Sequence, residues 1–211
     1  MRIELAGALA TGKSTLAAAM ESLGAKIIRE DVSSNPFLPL QRKDPDRWGF
    51  ACQKRFMEDK LESLAIAADD GAPVAVDYCM EAERAYLEHY LSAKPSQFAE
   101  LLAFVDESMA GIGDPALIVH LSCSPELQEE RIKKRGREFE LAHDRAFLSD
   151  ISGRVRRYAA AAEGRGVPVL WVRTDGMSTD AVMELARSLV ARLRDVAPPA
   201  DAARAQAAAV S

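Results

Sequence analysis

Short and long apolar segments alternate along this chain. Runs of strand length predict β-strands at residues 3–6, 26–29, 73–76, 117–121 and 167–172. Longer segments, whose apolar residues recur at helical spacing, predict helices at residues 14–23, about 47–68, 81–91, 96–109, 125–135, 145–162 and 179–194. This alternation is typical of a parallel sheet with helices on both faces. We therefore predict an α/β fold that binds ligands beyond the carboxyl ends of its strands.

Length, composition and charge narrow the possible classes of protein. The chain has 211 residues, enough for one well-buried domain, which we predict over residues 1–195. The composition then shifts to Ala, Pro and Asp, so we expect residues 196–211 to be a disordered tail. A net charge of −5 argues against a protein that coats nucleic acid or an anionic membrane. The three widely spaced cysteines are expected to be reduced thiols in a cytoplasmic protein.

The segment that follows the first predicted strand has the pattern of a phosphate-binding loop. It fits G-x-x-x-x-G-K-[ST] and leads into a strongly helix-forming run. In such a loop the backbone N–H groups bind phosphate oxygens, Lys13 reaches the terminal phosphates, and Ser14 offers its hydroxyl to Mg²⁺. We expect ATP to contact the loop and the residue after it: Gly7, Ala8, Leu9, Ala10, Thr11, Gly12, Lys13, Ser14 and Thr15.

A phosphate-binding loop alone does not distinguish switch proteins, motors and small-molecule kinases. In this chain the second predicted strand runs into Glu30, and Asn35-Pro36-Phe37-Leu38 follows shortly after it. This pattern resembles the deoxyribonucleoside kinases. The resemblance implies the three-layer P-loop NTPase fold, with a parallel five-stranded sheet in the order 2-3-1-4-5. It also implies that Glu30 is the catalytic base that accepts the proton of the nucleoside 5′-hydroxyl.

The resemblance continues into the next predicted helix, where the nucleoside would bind. Gln53 matches a glutamine that hydrogen-bonds the base, and an amide offers both a donor and an acceptor for that purpose. Trp48 and Phe56 could stack on the base, although packing within the core is the alternative for both. Lys60 stands where well-studied members have arginine. The expected substrate-binding residues are Glu30, Trp48, Gln53, Phe56, Lys60, Glu83, Arg84 and Glu140.

The end of the third predicted strand supplies an acidic residue for a metal site. Asp77 matches the acidic residue of the family's Glu-Arg or Asp-Arg signature, and with Ser14 it is expected to bind Mg²⁺. The next residue is Tyr78, where the resemblance expects arginine, so a cation close to the catalytic base is missing from this position. A family tyrosine that contacts the sugar also has no match, because its position falls near Arg42.

A basic segment, from Arg131 to Arg137, resembles the lid of these kinases. Arg131 and Arg135 are four residues apart and hence lie on one helix face, and Arg137 follows a glycine that ends the helix. Guanidinium groups that close on a transferring phosphoryl group neutralise its charge. We expect all three arginines to be catalytic and the lid to span about residues 131–140. A nucleic-acid patch and a solvated helix face are the alternative interpretations.

These features together predict an ATP- and Mg²⁺-dependent deoxyribonucleoside kinase. Its partner is expected to be a nucleoside, with no nucleic acid and no membrane, and the resemblance implies a homodimer. A nucleoside monophosphate kinase is one alternative, because an acceptor that already bears a phosphate needs extra arginines, which this chain could supply from Arg29, Arg42 and Arg47. A kinase-like protein that binds nucleotide without turnover is the other alternative.

Overall fold

A parallel sheet organises the chain. The structure, a computed structural model, describes residues 1–195, except for the side chains of residues 138 and 139, and the tail predicted at 196–211 lies outside the described residues. Its strands are β1 (Arg2–Ala6), β2 (Lys26–Ile28), β3 (Val74–Val76), β4 (Leu117–Ser122) and β5 (Val169–Arg173). Every neighbouring pair is parallel, and the order is β2-β3-β1-β4-β5. The predicted fold and strand order are therefore confirmed.

Helices connect the strands and cover both faces of the sheet. The long ones occur where the sequence predicts them, within a few residues at each end. Two short helices and a 3₁₀ turn at Val32–Ser34 were not predicted, because elements of so few residues show no apolar period. No helix within residues 1–195 is long and apolar enough to cross a bilayer. The helices are α1 (Lys13–Ser22), α2 (Leu38–Lys43), α3 (Pro45–Asp70), α4 (Met80–Tyr90), α5 (Pro95–Ile112), α6 (Pro125–Arg135), α7 (Glu138–Leu141), α8 (Arg145–Gly164) and α9 (Thr179–Asp195).

The two faces of the sheet bury separate apolar layers. On one face, Leu5 of β1 packs in a cluster with Met20 of α1 and Leu189 of α9. On the other face, Ile118 of β4 packs with Ile151 of α8 and with small residues of α4. Alternation of side chains along each strand places apolar groups in both layers. The sheet is consequently rigid, and the loops at its carboxyl edge have fixed starting points.

A buried carboxylate in β1 fixes the start of α4. Glu4 is 1% exposed, accepts a hydrogen bond from the Met80 backbone N–H at 3.0 Å, and pairs with Arg2 at 2.7 Å. Met80 is the first residue of α4, so a negative charge lies at the positive end of the helix dipole. Since α4 carries Glu83 towards the carboxyl edge of the sheet, this contact helps to position the site described next.

Candidate active site

A cavity of about 790 Å³ opens beyond the carboxyl ends of β1, β2 and β3. The loop after β1 forms one wall, Glu30 follows β2, and Asp77 follows β3. Side chains of α3 and α4 form the opposite wall, and residues of α6, α7 and the turn between them close the cavity. The structure thus brings together most of the predicted site: the phosphate loop, Glu30, Gln53, Phe56, Lys60, Asp77, Glu83, Arg135, Arg137 and Glu140.

The carbonyl groups of the phosphate loop are held by side-chain donors. Five consecutive carbonyls, from Gly7 to Thr11, each accept a hydrogen bond from a side chain. With its carbonyls engaged in this way, the loop is held in a form whose N–H groups can face an anion. The bonds are Lys13 Nζ to Gly7 O at 2.7 Å and to Ala8 O at 2.9 Å, Thr11 Oγ1 to Ala8 O at 3.0 Å, Gln128 Nε2 to Leu9 O at 2.8 Å, Arg131 Nη1 to Ala10 O at 3.0 Å, and Thr174 Oγ1 to Thr11 O at 2.9 Å.

The first glycine of the loop is required by its conformation and by its neighbours. Gly7 has φ of +151°, and a Cβ atom on it would lie 2.5 Å from Thr11 Oγ1 and 2.6 Å from the Leu121 carbonyl oxygen. The second of these contacts is with backbone, which cannot move without disturbing β4. Any side chain at this position therefore strains the start of the loop.

Lys13 is folded back on its own loop. Its Nζ donates to the carbonyls of Gly7 and Ala8, so the ammonium group lies at the inner edge of the phosphate loop. Burial lowers the pKa of Lys13, and the charges of Asp77 and Glu30 oppose that shift. An incoming phosphate would replace the two carbonyl partners with a charged one, a stronger hydrogen bond.

Asp77 and Ser14 form a donor set that fits Mg²⁺. One carboxylate oxygen of Asp77, Oδ1, is buried and has no hydrogen-bond partner among the described residues. Burial raises the pKa of Asp77, while a hydrogen bond with Ser14 and the charge of Lys13 oppose the rise. A carboxylate and a hydroxyl are oxygen ligands of the kind that Mg²⁺ takes beside phosphate and water. The unpartnered oxygen is therefore suitably placed for a cation.

Glu30, Lys60 and Glu83 form a chain of charges along one wall of the cavity. Lys60 Nζ lies 2.8 Å from Glu30 Oε1 and 2.6 Å from Glu83 Oε2. The Lys60 and Glu83 side chains are 5% and 11% exposed, whereas that of Glu30 is 33% exposed. Burial alone would raise the pKa of Glu30, but Lys60, Lys13 and Arg137 bring it below its ordinary value. Glu30 is thus an ionised carboxylate that is open to the cavity.

Tyr78 occupies the position where the resemblance expects arginine. It is 3% exposed, and its hydroxyl donates to the Lys60 backbone carbonyl at 3.0 Å. Burial raises the pKa of Tyr78 above its ordinary value, so the phenol is neutral and supplies no cation. The departure at this position is therefore a structural one, since the tyrosine ties β3 to α3.

The far end of the cavity has the features of a base-binding region. Gln53 is only 4% exposed and lines the cavity together with Phe56. Tyr86 and Tyr90 of α4 also line it, although they were not predicted as site residues. The signal that could have identified them is their spacing of three and seven residues from Glu83, which places all three on one face of α4.

Two lid arginines are held by a buried carboxylate. Arg135 Nη1 lies 2.9 Å from Glu140 Oε1, and Arg137 Nη1 lies 3.3 Å from the same oxygen. Glu140 is 3% exposed, whereas the arginine side chains are 34% and 51% exposed. Gly136, with φ of +66°, ends α6 between the two arginines. Both guanidinium groups line the cavity, where they can exchange the carboxylate for a phosphate.

Arg131 differs from the expectation that it belongs with the two cavity arginines. Its guanidinium donates to the Ala10 carbonyl, to Thr174 Oγ1 at 3.1 Å and to the Thr174 carbonyl at 3.3 Å. It lines a neighbouring cavity of about 350 Å³, which also includes Thr15 and Met177. Arg135 lines both cavities, whereas Arg131 is among the lining residues of the neighbouring cavity alone. Its visible task is to hold the phosphate loop.

Two predicted substrate contacts lie away from the main cavity. Arg84 points to the other side of α4, where it pairs with Asp106 at 2.5 Å and lines a separate cavity of about 600 Å³. Trp48 stacks on Phe37, with ring centroids 5.9 Å apart, and so joins α3 to the segment before α2. Arg84 follows Glu83 directly, and adjacent residues cannot share a helix face. For Trp48, the stacking on Phe37 agrees with the alternative interpretation, in which this side chain packs within the protein.

The Asn-Pro-Phe-Leu segment has a structural task that the sequence did not reveal. Asn35 is 2% exposed, donates to the Cys52 carbonyl at 2.9 Å, and accepts from the Phe37 N–H at 3.0 Å. The first of these bonds attaches the connection after β2 to α3 at Cys52, next to Gln53. Asn35 therefore fixes the distance between the segment that carries Glu30 and the helix that carries Lys60.

Comparison with known proteins identifies the family. A family model described as deoxynucleoside kinase matches residues 3–194. The chain belongs to the deoxynucleoside kinase family. Its members are ATP-dependent phosphotransferases, which confirms the predicted family and enzyme class of this kinase. The match favours neither a nucleoside monophosphate kinase nor a non-catalytic nucleotide-binding protein.

Individual relatives of the kinase agree with the family match. A deoxyguanosine kinase of Lactobacillus acidophilus is 31% identical over 168 residues, which are 74% of this chain and 72% of the relative. A deoxyguanosine kinase of Bacillus subtilis is 28% identical over 189 residues, 86% of this chain and 89% of the relative. A solved deoxyadenosine kinase from M. mycoides, with products dCMP and dCDP bound, has a TM-score of 0.77 at 19% identity, covering 91% of this chain and all of that one (100%). The last comparison supports the fold of the kinase.

A pair of variants distinguishes the effect of steric crowding at Gly7 from the effect of replacing any glycine that has positive φ. We expect Gly7→Ala to weaken ATP binding by at least about tenfold, because the added methyl group displaces the loop backbone. Gly71→Ala is the matched control, since Gly71 also has positive φ, +64°, but a Cβ atom there meets nothing within 4 Å. Isothermal titration with ATP measures both variants. Equal affinity of Gly7→Ala and the parent would contradict the described loop geometry.

Proposed function

We propose that this kinase transfers the γ-phosphoryl group of MgATP to the 5′-hydroxyl of a purine deoxynucleoside. The observation that carries the proposal is the position of Glu30, whose ionised carboxylate opens into the same cavity as the phosphate loop. An alcohol held between this carboxylate and the γ-phosphate would meet both a proton acceptor and the reacting phosphorus. General-base assistance of this kind contributes about 10²–10⁴-fold to the rate.

The cations of the site would bind different parts of the triphosphate. Lys13 and the loop N–H groups would bind the β- and γ-phosphates, and Arg135 and Arg137 would neutralise the charge that spreads over the transferring group. If the two arginines moved from Glu140 to the phosphate, they would lose their ion pair with the carboxylate and gain one with the phosphate. This exchange would also release Glu140, one of the expected substrate-binding residues, to contact the sugar. Arg131 would act on this chemistry only through the loop that it holds.

Ser14 and Asp77 would hold the magnesium ion that accompanies ATP. Bound there, Mg²⁺ would supply charge neutralisation between the β- and γ-phosphates. Asp77 must be ionised for this task, and since burial raises its pKa, the affinity for Mg²⁺ is expected to fall as the pH falls. The adenosine part of ATP would occupy the neighbouring cavity that contains Thr15 and Met177.

The preference for a purine is supported by the named relatives and by the polar groups of the cavity. Both curated relatives described above are named deoxyguanosine kinase. Gln53 offers a donor and an acceptor in a buried position, the arrangement that brackets adjacent polar groups on a base edge. Phe56, Tyr86 and Tyr90 supply aromatic faces around it.

A panel of the four natural deoxynucleosides with MgATP tests the acceptor class. We expect kcat/KM for deoxyguanosine or deoxyadenosine to exceed that for thymidine by at least about tenfold, because a site whose polar groups match one base leaves them unpaired with another. Release of ADP is measured for each nucleoside. A preference for thymidine or deoxycytidine would refute the purine assignment, and no nucleoside-stimulated ADP release would refute the reaction.

Substitutions at Glu30 and Lys13 test the proposed roles. We expect Glu30→Gln and Lys13→Ala each to lower kcat by at least about 10²-fold with folding intact, since one removes the proton acceptor and the other a phosphate contact. Glu62→Gln on the exposed face of α3 is the matched control and should retain the parent rate. A Glu30→Gln variant that turned over nucleoside at the parent rate would remove Glu30 from the mechanism.

The metal assignment is tested by magnesium titration of an Asp77→Asn variant. We expect the half-saturating Mg²⁺ concentration to rise by at least about tenfold, because the amide lacks the charge of the carboxylate. Asp70→Asn provides the control, as Asp70 is an exposed residue that pairs with Lys26 far from the cavity. An unchanged magnesium requirement in Asp77→Asn would place the metal elsewhere.

A further inference from the structure

Lys60 lines the cavity as a buried ammonium group that is held by two carboxylates. Its side chain is 5% exposed, and its Nζ already has two carboxylate partners, Glu30 at 2.8 Å and Glu83 at 2.6 Å. A buried ammonium group needs such partners, since leaving them would expose an unpaired charge to a low dielectric. The sequence leads us to expect a contact between Lys60 and the nucleoside, and the structure adds an ion pair between Lys60 and Glu30.

The surroundings of Lys60 leave its ammonium group little freedom. The hydroxyl of Tyr78 donates to the Lys60 carbonyl at 3.0 Å, which fixes the backbone from which the side chain departs. The rings of Tyr78 and Phe56 also lie close to the ammonium group, with centroids 5.5 Å and 5.6 Å from Nζ. Aromatic faces attract a cation at this range. The position of Nζ is thus determined from four directions.

Glu30, by contrast, has little support from its own backbone. Strand β2 ends at Ile28, and the next regular element is the 3₁₀ turn that starts at Val32, so Glu30 lies in the irregular connection between them. The side chain of the preceding residue, Arg29, pairs with Glu21 at 2.6 Å. Ion pairing with Lys60 is therefore the contact that gives the Glu30 carboxylate a defined direction.

We propose that Lys60 is a positioning residue for phosphoryl transfer, which holds the Glu30 carboxylate towards the 5′-hydroxyl while Glu83 anchors the ammonium group from behind. The inference rests on the proposed function of Glu30 as the base. Tyr78 contributes no positive charge to this wall of the cavity, so the positive charge next to Glu30 comes from Lys60 of α3. Lys60 acts through Glu30 and does not itself touch the reacting atoms.

The difference between the two carboxylates explains their different tasks. Burial raises the pKa of Glu83 despite the opposing charge of Lys60, whereas the pKa of Glu30 is below its ordinary value despite burial. Environments that separate the pKa values of two neighbouring acids assign them different roles. Glu30, the more exposed of the two, faces the cavity as the ionised acceptor, and Glu83 remains behind Lys60 as its counter-ion.

Lys60 is also the cation that stays with Glu30 once ATP is bound. Three cations face Glu30 and lower its pKa: Lys60 from α3, Lys13 from α1 and Arg137 from the lid. Two acidic groups also face it, Glu83 and Asp77, and the charge of Glu30 raises the pKa of both. In the proposed mechanism Lys13 and Arg137 turn to phosphate, and a polyanion arrives next to the base. Lys60 then keeps Glu30 ionised and oriented.

Kinetics of Lys60 variants as a function of pH test this proposal. We expect Lys60→Met to lower kcat by at least about tenfold while KM for the nucleoside changes less than about threefold. The acid limb of the kcat profile should shift to higher pH, because Glu30 loses the charge that lowers its pKa while its burial remains. Lys60→Arg should recover most of the rate and the parent profile. Lys26→Met, which removes an exposed pair with Asp70, is the matched control.

A second variant covers the case in which Lys60→Met does not fold. Removing Lys60 alone leaves a buried carboxylate unpaired, whereas Lys60→Met combined with Glu83→Gln removes the buried charges together. Thermal melting and ATP titration report on its folding. The double variant should still show the lowered kcat and the shifted acid limb. A folded variant, single or double, with the parent kcat and pH profile would overturn the proposal.

A double-mutant cycle separates this inference from the proposed function. In a Glu30→Gln background, Lys60→Met should change kcat by less than about twofold, since a positioning residue has nothing left to position. If the two effects multiply instead, Lys60 acts independently of Glu30 and the inference fails. If Glu30→Gln retains the parent rate, the proposed base is wrong. If Glu30→Gln is slow and Lys60→Met is normal, only the inference about Lys60 is wrong.

Discussion

Electrostatic balance is the constraint on which this site depends. The cavity gathers Glu30, Asp77 and Glu83 at the place where a nucleotide must bring several further negative charges. Without cations, like charges at such distances would suppress ionisation of the carboxylates or exclude the phosphate. Lys13 and Lys60 lie between these groups, and the two lid arginines can move in from their shared carboxylate. Lys60 and the two lid arginines each have an acidic partner in the structure, whereas Lys13 donates to two carbonyls of its own loop. Phosphate binding would therefore exchange existing partners of these cations for charged phosphate oxygens.

The fold supplies the positions that this balance requires. Parallel strands end at one edge of the sheet, which brings residues distant in sequence to the same cavity. Buried contacts then set the remaining distances: Glu4 starts α4, Asn35 joins the connection after β2 to α3, and Tyr78 joins β3 to α3. The phosphate loop depends in turn on α6 and on Thr174, whose side chains hold its carbonyls. Rigid supports thus surround the groups that react.

The sequence predicted the features that are written in contiguous patterns and missed those that depend on packing. The phosphate loop follows from a local motif, the alternation of strands and helices from apolar periodicity, and the strand order from the family resemblance, and all three agree with the structure. The direction of Arg131 could not be foreseen, because the bond partners that turn it, above all Thr174, are distant in sequence. Helical spacing places Arg84 and Tyr86 on different faces of α4, but only the packing of the helix in the fold shows which of these faces borders the main cavity. Lys60 and Glu30 were both predicted as site residues, but the ion pair between them was not.

The role of Glu30 can be checked in a structure of the kinase with deoxyguanosine and a non-hydrolysable ATP analogue. The measured quantity is the distance from the Glu30 carboxylate to the nucleoside 5′-oxygen. We predict a hydrogen bond of about 2.6–3.2 Å, with the 5′-oxygen in line with the γ-phosphorus and Lys60 still paired with Glu30. A Glu30 side chain turned away from the bound nucleoside, with another group on the 5′-hydroxyl, would contradict it.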